Sequence, residues 1–341
     1  SNSAALPTAA GAAGASSAAV PAQAGAPTGE KVTVSTDVFK AEIDGQGGTL
    51  SHLQLRKYVD ETNHGGLVES VRKLFGYPIP PNEVKDVVLM EDGSPATRYV
   101  AQTGLLNPLD TGDRFPNHLS QMVAKPGPRE LAEGQNALEV VFESPPIGGL
   151  KYVKTYLFTR GDYSIRVKHQ VVNVSDRPVD AQLYLQLVRH GTVAAGTMFG
   201  TNTYAGPAAY TDEKKFHKID FADILKKKAE VPPPATNGWI AMVQHYFASA
   251  WLLNTPGADT LKREFRVADL GNNLYSVAMV LPLNKLAPGA SQTIDSDLFA
   301  GPQEEKKLEV LAPGLELVKD YGIFAIISKP LYWLLNELHN I

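Results

Sequence analysis

The chain of 341 residues has no cysteine. That absence removes disulfide frameworks, thiolate metal sites, iron–sulfur clusters and cysteine nucleophiles together. Long apolar runs are missing too: no stretch approaches the roughly 18–20 residues that a membrane-crossing helix needs, and no charged-then-apolar leader opens the sequence. The chain is therefore expected to behave as a soluble body. An excess of one charge is also absent, since 32 Lys+Arg stand against 36 Asp+Glu for a net charge of -4. Nothing draws the whole surface to phosphate backbones, and nucleic acid is not an expected partner.

Catalytic spacings are equally scarce. There is no Walker loop, dinucleotide fingerprint, nucleophile elbow or HExxH helix. Gly45-Gln46-Gly47-Gly48 is glycine-rich but lacks a third glycine at the phosphate-cradle offset, and reads as a turn between strands. The histidines His52, His64, His118, His169, His190, His217, His245 and His339 are scattered, with no close pair of the kind a local metal motif uses. His169 continues the inward face of a strand and reads as a hydrogen-bonded core histidine before it reads as a general base. Asp295 with Asp297, and Asp110 with Asp113, are better explained as solvated turn carboxylates than as an acid/base couple. No catalytic residue, metal ligand or cofactor is expected.

What is present is enough to build a core: 43% of residues are hydrophobic and 20% charged. Residues 1–30 are almost only Ala, Gly, Ser, Pro and Thr, a flexible linker composition that suggests a preceding partner such as a membrane anchor. From Lys31 the texture turns to short period-two runs broken by glycine and proline, the signature of strands. Phe39, Ala41 and Ile43 alternate before the Gly45–Gly48 turn, and Ser51, Leu53 and Leu55 alternate after it. Tyr152, Lys154 and Tyr156 alternate with Val153, Thr155 and Leu157. The turn Arg160-Gly161-Asp162 then leads into Tyr163, Ile165 and Val167. Ala181, Leu183, Leu185 and Leu187 follow the turn Ser175–Pro178, which predicts a three-strand meander. Residues 60–128, rich in proline and glycine, read as long loops with a few short strands.

Further on, Gly238 to Leu253 is apolar and holds Trp239, Tyr246, Phe247 and Trp251. These four aromatics are candidate contacts for a partner or substrate, with core packing as the competing explanation. Lys226-Lys227-Lys228 ahead of Pro232–Pro234 reads as a solvated helix end. Helical spacing appears at Gln303–Leu311 and again after Ser328. There Leu331, Leu334, Leu335 and Leu338 form an apolar stripe beside Trp333, a candidate membrane-surface helix over 321–341. Many antiparallel strands without βαβ alternation predict a mainly β chain of packed sheets over 31–320 with short C-terminal helices.

Several separated stretches carry a resemblance. They are Gly47-Gly48, Ala132 to Asn136, Phe158 with Gly161-Asp162-Tyr163, Gly238 to Met242 running into Gln244, Tyr246 to Ala248 and Ala250-Trp251, Gly301-Pro302, Asp320 to Gly322, and Ser328 to Leu331. In order and spacing the chain resembles the large periplasmic domain of the YidC membrane-protein insertases of Gram-negative bacteria. The resemblance implies a mutarotase-like β-supersandwich on the periplasmic side of the inner membrane. It implies no catalysis. It implies a scaffold for insertion and folding of inner-membrane proteins, with nascent membrane proteins, the Sec translocon and its SecD–SecF accessory subunits, and the membrane surface as partners. A mutarotase-like sugar-binding or sugar-processing domain is the alternative. The segment 63–81 has no clear counterpart in that family.

Overall fold

A computed structural model describes residues 29–59, 86–109, 114–192, 204–244, 246–253 and 256–319. The linker up to residue 28, the segment 63–81 and the candidate helix over 321–341 lie outside them. In chain order the first strands are β1 (Lys31–Ser35), β2 (Phe39–Asp44), β3 (Thr49–Val59), β4 (Asp86–Met90), β5 (Tyr99–Leu106) and β6 (Val123–Ala124). Then come β7 (Ala137–Glu143), β8 (Leu150–Thr159), β9 (Ser164–Asn173), β10 (Gln182–His190), β11 (Gly206–Thr211) and β12 (Lys215–Lys218). After α1 (Phe221–Leu225) follow β13 (Trp239–Val243), β14 (Phe247–Leu252), β15 (Glu264–Gly271), β16 (Leu274–Pro282) and β17 (Ser291–Pro302), and α2 (Glu305–Leu311) comes last.

The strands form two antiparallel sheets. An eight-stranded sheet runs β1-β2-β3-β5-β10-β16-β15, with β4 beside β3; a nine-stranded sheet runs β12-β11-β13-β14-β17-β9-β8-β7-β6. Their facing surfaces share one large apolar core that includes Phe39, Leu53, Leu185 and Met279 from the first sheet and Phe158, Ile165, Trp251 and Leu298 from the second. Period-two patterning explains the flanking strands: in β8 every second residue from Leu150 to Phe158 is buried. Gly161, at φ 73°, turns β8 into β9.

The predicted meander is corrected by the topology. β8 and β9 pair as expected, but β10 crosses to the other sheet, between β5 and β16, and the free edge of β9 is taken by β17. Alternation reports which face of a strand is buried and is silent on its neighbour. The crossing is built by Asn173, whose side-chain amide donates to the carbonyls of Arg177 at 2.7 Å and Leu286 at 2.8 Å, while its Oδ1 accepts from Ser175 N–H. β5 is a second correction. It lies inside the stretch read as long loops with a few short strands, yet it is a long central strand: all eight of its residues are buried and all eight pair with β10. A strand covered on both faces has no alternation to reveal it.

Outside the sandwich, α2 and the 3₁₀ turn Leu315–Val318 pack on the outer face of the nine-stranded sheet. Ala208, Ala241, Ala248 and Ala250 leave room there for Leu308, Ala312, Leu315 and Val318, a second small core. The helix α2 follows from the period seen at Gln303–Leu311; the 3₁₀ turn lies beyond it.

Candidate functional site

Two places hold chemistry. The first is a layer of polar side chains sealed between the sheets. Thr103 on β5 and Tyr152 on β8 share a hydrogen bond of 2.9 Å between hydroxyls; Tyr152 Oη meets His169 Nδ1 at 2.7 Å, and His169 Nε2 meets Ser296 Oγ at 2.8 Å. Ser296 donates onward to the Val167 carbonyl at 3.3 Å. With that proton committed, Ser296 accepts from Nε2–H, and in the neutral ring Nδ1 is then left to accept from Tyr152. Burial, and then the charge of nearby Lys154, holds the histidine well below its usual range. The expected core histidine is therefore what His169 is.

Lys154 completes the layer and was not singled out by sequence. It is fully buried, and its Nζ donates to the carbonyls of Gly47 at 2.6 Å and Gly48 at 3.2 Å while sitting 5.5 Å from the Tyr152 ring. Tyr156 Oη donates to the same Gly48 carbonyl at 2.6 Å. No carboxylate bonds to the amine among the described residues, and burial brings its pKa down to about 7. His118, which hydrogen-bonds Tyr184 Oη through Nδ1 at 2.5 Å, is held down to about 4 by burial and then by Lys154. Sequence alternation places Lys154 between Tyr152 and Tyr156 on one face, opposite Val153, Thr155 and Leu157, and does not say which of the two faces is buried.

The second place is a pocket of about 470 Å³ at the edge of the outer core. Tyr210, Trp239, Asp212, Asp259, Arg263 and Pro313 line it. The Trp239 ring is already held on two sides, stacked on Tyr210 at 5.6 Å and tilted against Phe216 at 6.1 Å, and its indole N–H donates to the Pro313 carbonyl at 2.9 Å. Arg263 donates to the carbonyls of Gly238 and, at 2.9 Å, Ala258. Burial brings its guanidinium down to about 10, opposed by Asp212 and Asp259. It stays a cation. No short-range signal in the sequence marks Arg263, because the pocket assembles from four separate stretches.

The structure separates the four aromatics considered as one contact strip. Trp251 is wholly buried between the sheets and donates its indole N–H to the Gln186 carbonyl of the opposite sheet at 3.0 Å. Trp239 is 2% exposed and Phe247 is half-buried, whereas Tyr246 is 61% exposed. A single exposed strip is thus corrected: strand alternation turns Trp251 inward and Trp239 outward under the C-terminal elements. Among the described residues, no group of three or more His, Asp or Glu is placed to hold a metal ion. Leu331, Trp333, Leu334, Leu335 and Leu338 lie outside the described residues.

Two packed antiparallel sheets with a C-terminal segment fastened to the outer face of one of them define a mainly β sandwich domain. The family model described as "YidC periplasmic domain" matches residues 31–334, and the chain belongs to that family. The membrane protein insertase YidC of Cupriavidus necator is 46% identical over 330 residues, covering 97% of this chain and 53% of that protein. The YidC insertase of Burkholderia thailandensis is 46% identical over 309 residues, covering 91% and 50%. The chain thus spans about half the length of these relatives, which are named for insertion and not for a chemical reaction. Among solved structures, a galactose mutarotase related enzyme from Lactobacillus acidophilus is similar with a TM-score of 0.44 at 8% identity, covering 80% of this chain and 97% of the other. A putative aldose 1-epimerase from Escherichia coli K12 gives 0.39 at 12%, covering 80% and 98%. Similarity that remote carries nothing about activity.

Proposed function

We propose that this chain acts as the non-catalytic scaffold of a membrane protein insertase on the periplasmic side of the inner membrane. In this reading it holds emerging segments of nascent membrane proteins, and the Sec translocon with its SecD–SecF subunits, near the site of insertion. The observation that carries it is the fastening of the C-terminal elements: Leu308, Leu315 and Val318 are seated on the outer sheet face, and Pro313 is tied to Trp239. The last described residues are thus packed against the sheet. A sugar-processing domain would need a histidine base facing a cleft, and His169 is sealed within hydrogen bonds.

The apolar stripe Leu331, Leu334, Leu335 and Leu338, with Trp333 beside it, suits a segment that lies on the membrane surface and couples the sheets to the rest of the insertase. The test is made in the full-length insertase, by in vivo insertion of a reporter membrane protein. Leu334→Asp with Leu335→Asp should lower insertion several-fold at unchanged protein level, and more than Tyr246→Ala does. Wild-type insertion by the Asp pair would remove the coupling role.

A further inference from the structure

A sandwich interior is expected to be apolar, with any buried charge paired. Here the space between the sheets holds Lys154, Tyr152, Tyr156 and His169, and a second buried pair, His118 with Tyr184, lies close enough for His118 to feel the lysine's charge. The lysine lies on β8 of the nine-stranded sheet, and both of its acceptors are carbonyls of the turn between β2 and β3, which belongs to the eight-stranded sheet. We propose that the contact of Lys154 with the Gly47–Gly48 turn is a proton-operated clasp between the two sheets, closed around the neutral amine and opened when the amine takes a proton from solvent.

Gly47 and Gly48 sit at φ 73° and 54°, carry no side chains, and are preceded by Gln46, which is only half-buried. Beyond Lys154 and Tyr156, the turn is held by the Asp44 carboxylate, which accepts from Gln46 N–H at 2.7 Å, and by backbone bonds to neighbouring segments. Gly47 N–H donates to Ser120 O at 2.7 Å, Met122 N–H to Gly45 O at 2.7 Å, and Gly45 N–H to Glu30 O at 2.7 Å. An added Cβ at Gly47 would stand 2.4 Å from the His118 carbonyl oxygen, so the turn and the 117–122 loop bear directly on each other. They would open together.

The groups facing the amine offer a proton no counter-charge. Its own strand presents Tyr152 and Tyr156, β9 presents His169, and the 117–122 loop brings up His118, whose ring is bonded in turn to Tyr184 of β10. Burial raises the three tyrosines and lowers both histidines, so all five neighbours are neutral near pH 7. The carboxylate nearest the turn in sequence, Asp44, bonds Gln46 N–H at 2.7 Å, and burial raises its pKa. A proton on Lys154 is thus an uncompensated charge in a medium of low polarity, relieved most cheaply by admitting water through the turn. No bond to carbon is made or broken; the proton passes between solvent and Nζ.

Amide hydrogen exchange of the whole chain, read as protection factors at about pH 6 and pH 9, tests the clasp. Gly47 and Met122 should lose about tenfold or more in protection at the lower pH beyond the loss that amides of the β5–β10 ladder share through the fall in global stability. Lys154→Met should abolish that difference. Equal protection at both pH values in the wild type would overturn the proposal. So would an unchanged pH dependence in Lys154→Met. Should that variant fail to fold, ¹³Cε NMR of the wild-type lysine decides: titration at the ordinary lysine position sinks the clasp, and titration near neutral pH sustains it.

Discussion

Trp251 offers the sharpest check on how this sandwich is held together. The ring is wholly buried, lies 6.4 Å from the His169 ring, and is cross-strand neighbour to Ile240 on one side and Leu298 on the other. Its indole N–H reaches the Gln186 carbonyl in the opposite sheet, so one side chain contributes both packing and a hydrogen bond across the interface. Trp251→Phe keeps most of the ring and loses the bond, which should cost about 1–2 kcal/mol. Trp251→Ala also leaves a cavity where two sheets meet, and should cost about 3–5 kcal/mol. Against a total stability of about 5–15 kcal/mol for an ordinary domain, the second change is severe.

The assay is equilibrium denaturation in urea, with the midpoint falling in the order wild type, Phe, Ala at a constant slope. Tyr246→Ala serves as the control: the residue is 61% exposed, and its removal should change stability by less than about 0.5 kcal/mol. A loss below about 1 kcal/mol for Trp251→Ala would refute the reasoning, because a wholly buried tryptophan cannot leave so cheaply unless the sheets are not packed as described.

Two further outcomes follow from the same physics. Gly238→Ala should cost roughly 2 kcal/mol or more, read as a fall in melting temperature, because φ is 103° there and the new Cβ would stand 2.0 Å from the Tyr210 carbonyl oxygen. Stability should also climb with pH from about 7 toward the ordinary lysine value of 10.5, at up to about 1.4 kcal/mol per unit, since the unfolded chain keeps the proton that folded Lys154 releases. His118, held near 4, adds the same sign below its ordinary 6.5. The buried tyrosines act oppositely at the alkaline end, where the unfolded chain ionises first and Tyr99, pushed up to about 12 by burial, does not. An alkaline optimum in chemical denaturation curves is therefore expected, and an optimum on the acid side of neutrality would contradict it.

Much of the fold was legible where one face of a strand is wet. The alternation of Phe39, Ala41 and Ile43, and of Tyr163, Ile165 and Val167, marks real strands, and the turn Arg160-Gly161-Asp162 marks a real hairpin. Legibility failed where both faces are dry, as in β5, where Gln102 and Thr103 are as buried as Val100. It failed again where partnership depends on distant chain, because the strand that completes β9 is β17, more than a hundred residues later. The pocket lay beyond reach for that second reason: Tyr210, Trp239, Arg263 and Pro313 meet only once both sheets and the C-terminal strap are in place.

Lys154 shows a different kind of illegibility, and what it costs also suggests what it does. A buried amine without an acid destabilises the fold relative to a well-packed apolar residue, so its presence is not explained by stability. Its reach is short and its acceptors are two adjacent carbonyls, available only if β8 lies in its observed register against β7 and β9 and the Gly47–Gly48 turn lies over it. A slip of two residues along β8 keeps every inward face inward, but replaces Lys154 at that turn with Tyr152 or Tyr156 and leaves the amine with no carbonyl. The same slip parts Tyr152 from both Thr103 and His169. An apolar interior would tolerate such a shift, since alternation alone cannot tell one register from the next even one. The polar layer does distinguish them, because each wrong register strands a buried donor at a cost of about 1–3 kcal/mol, and the amine at more.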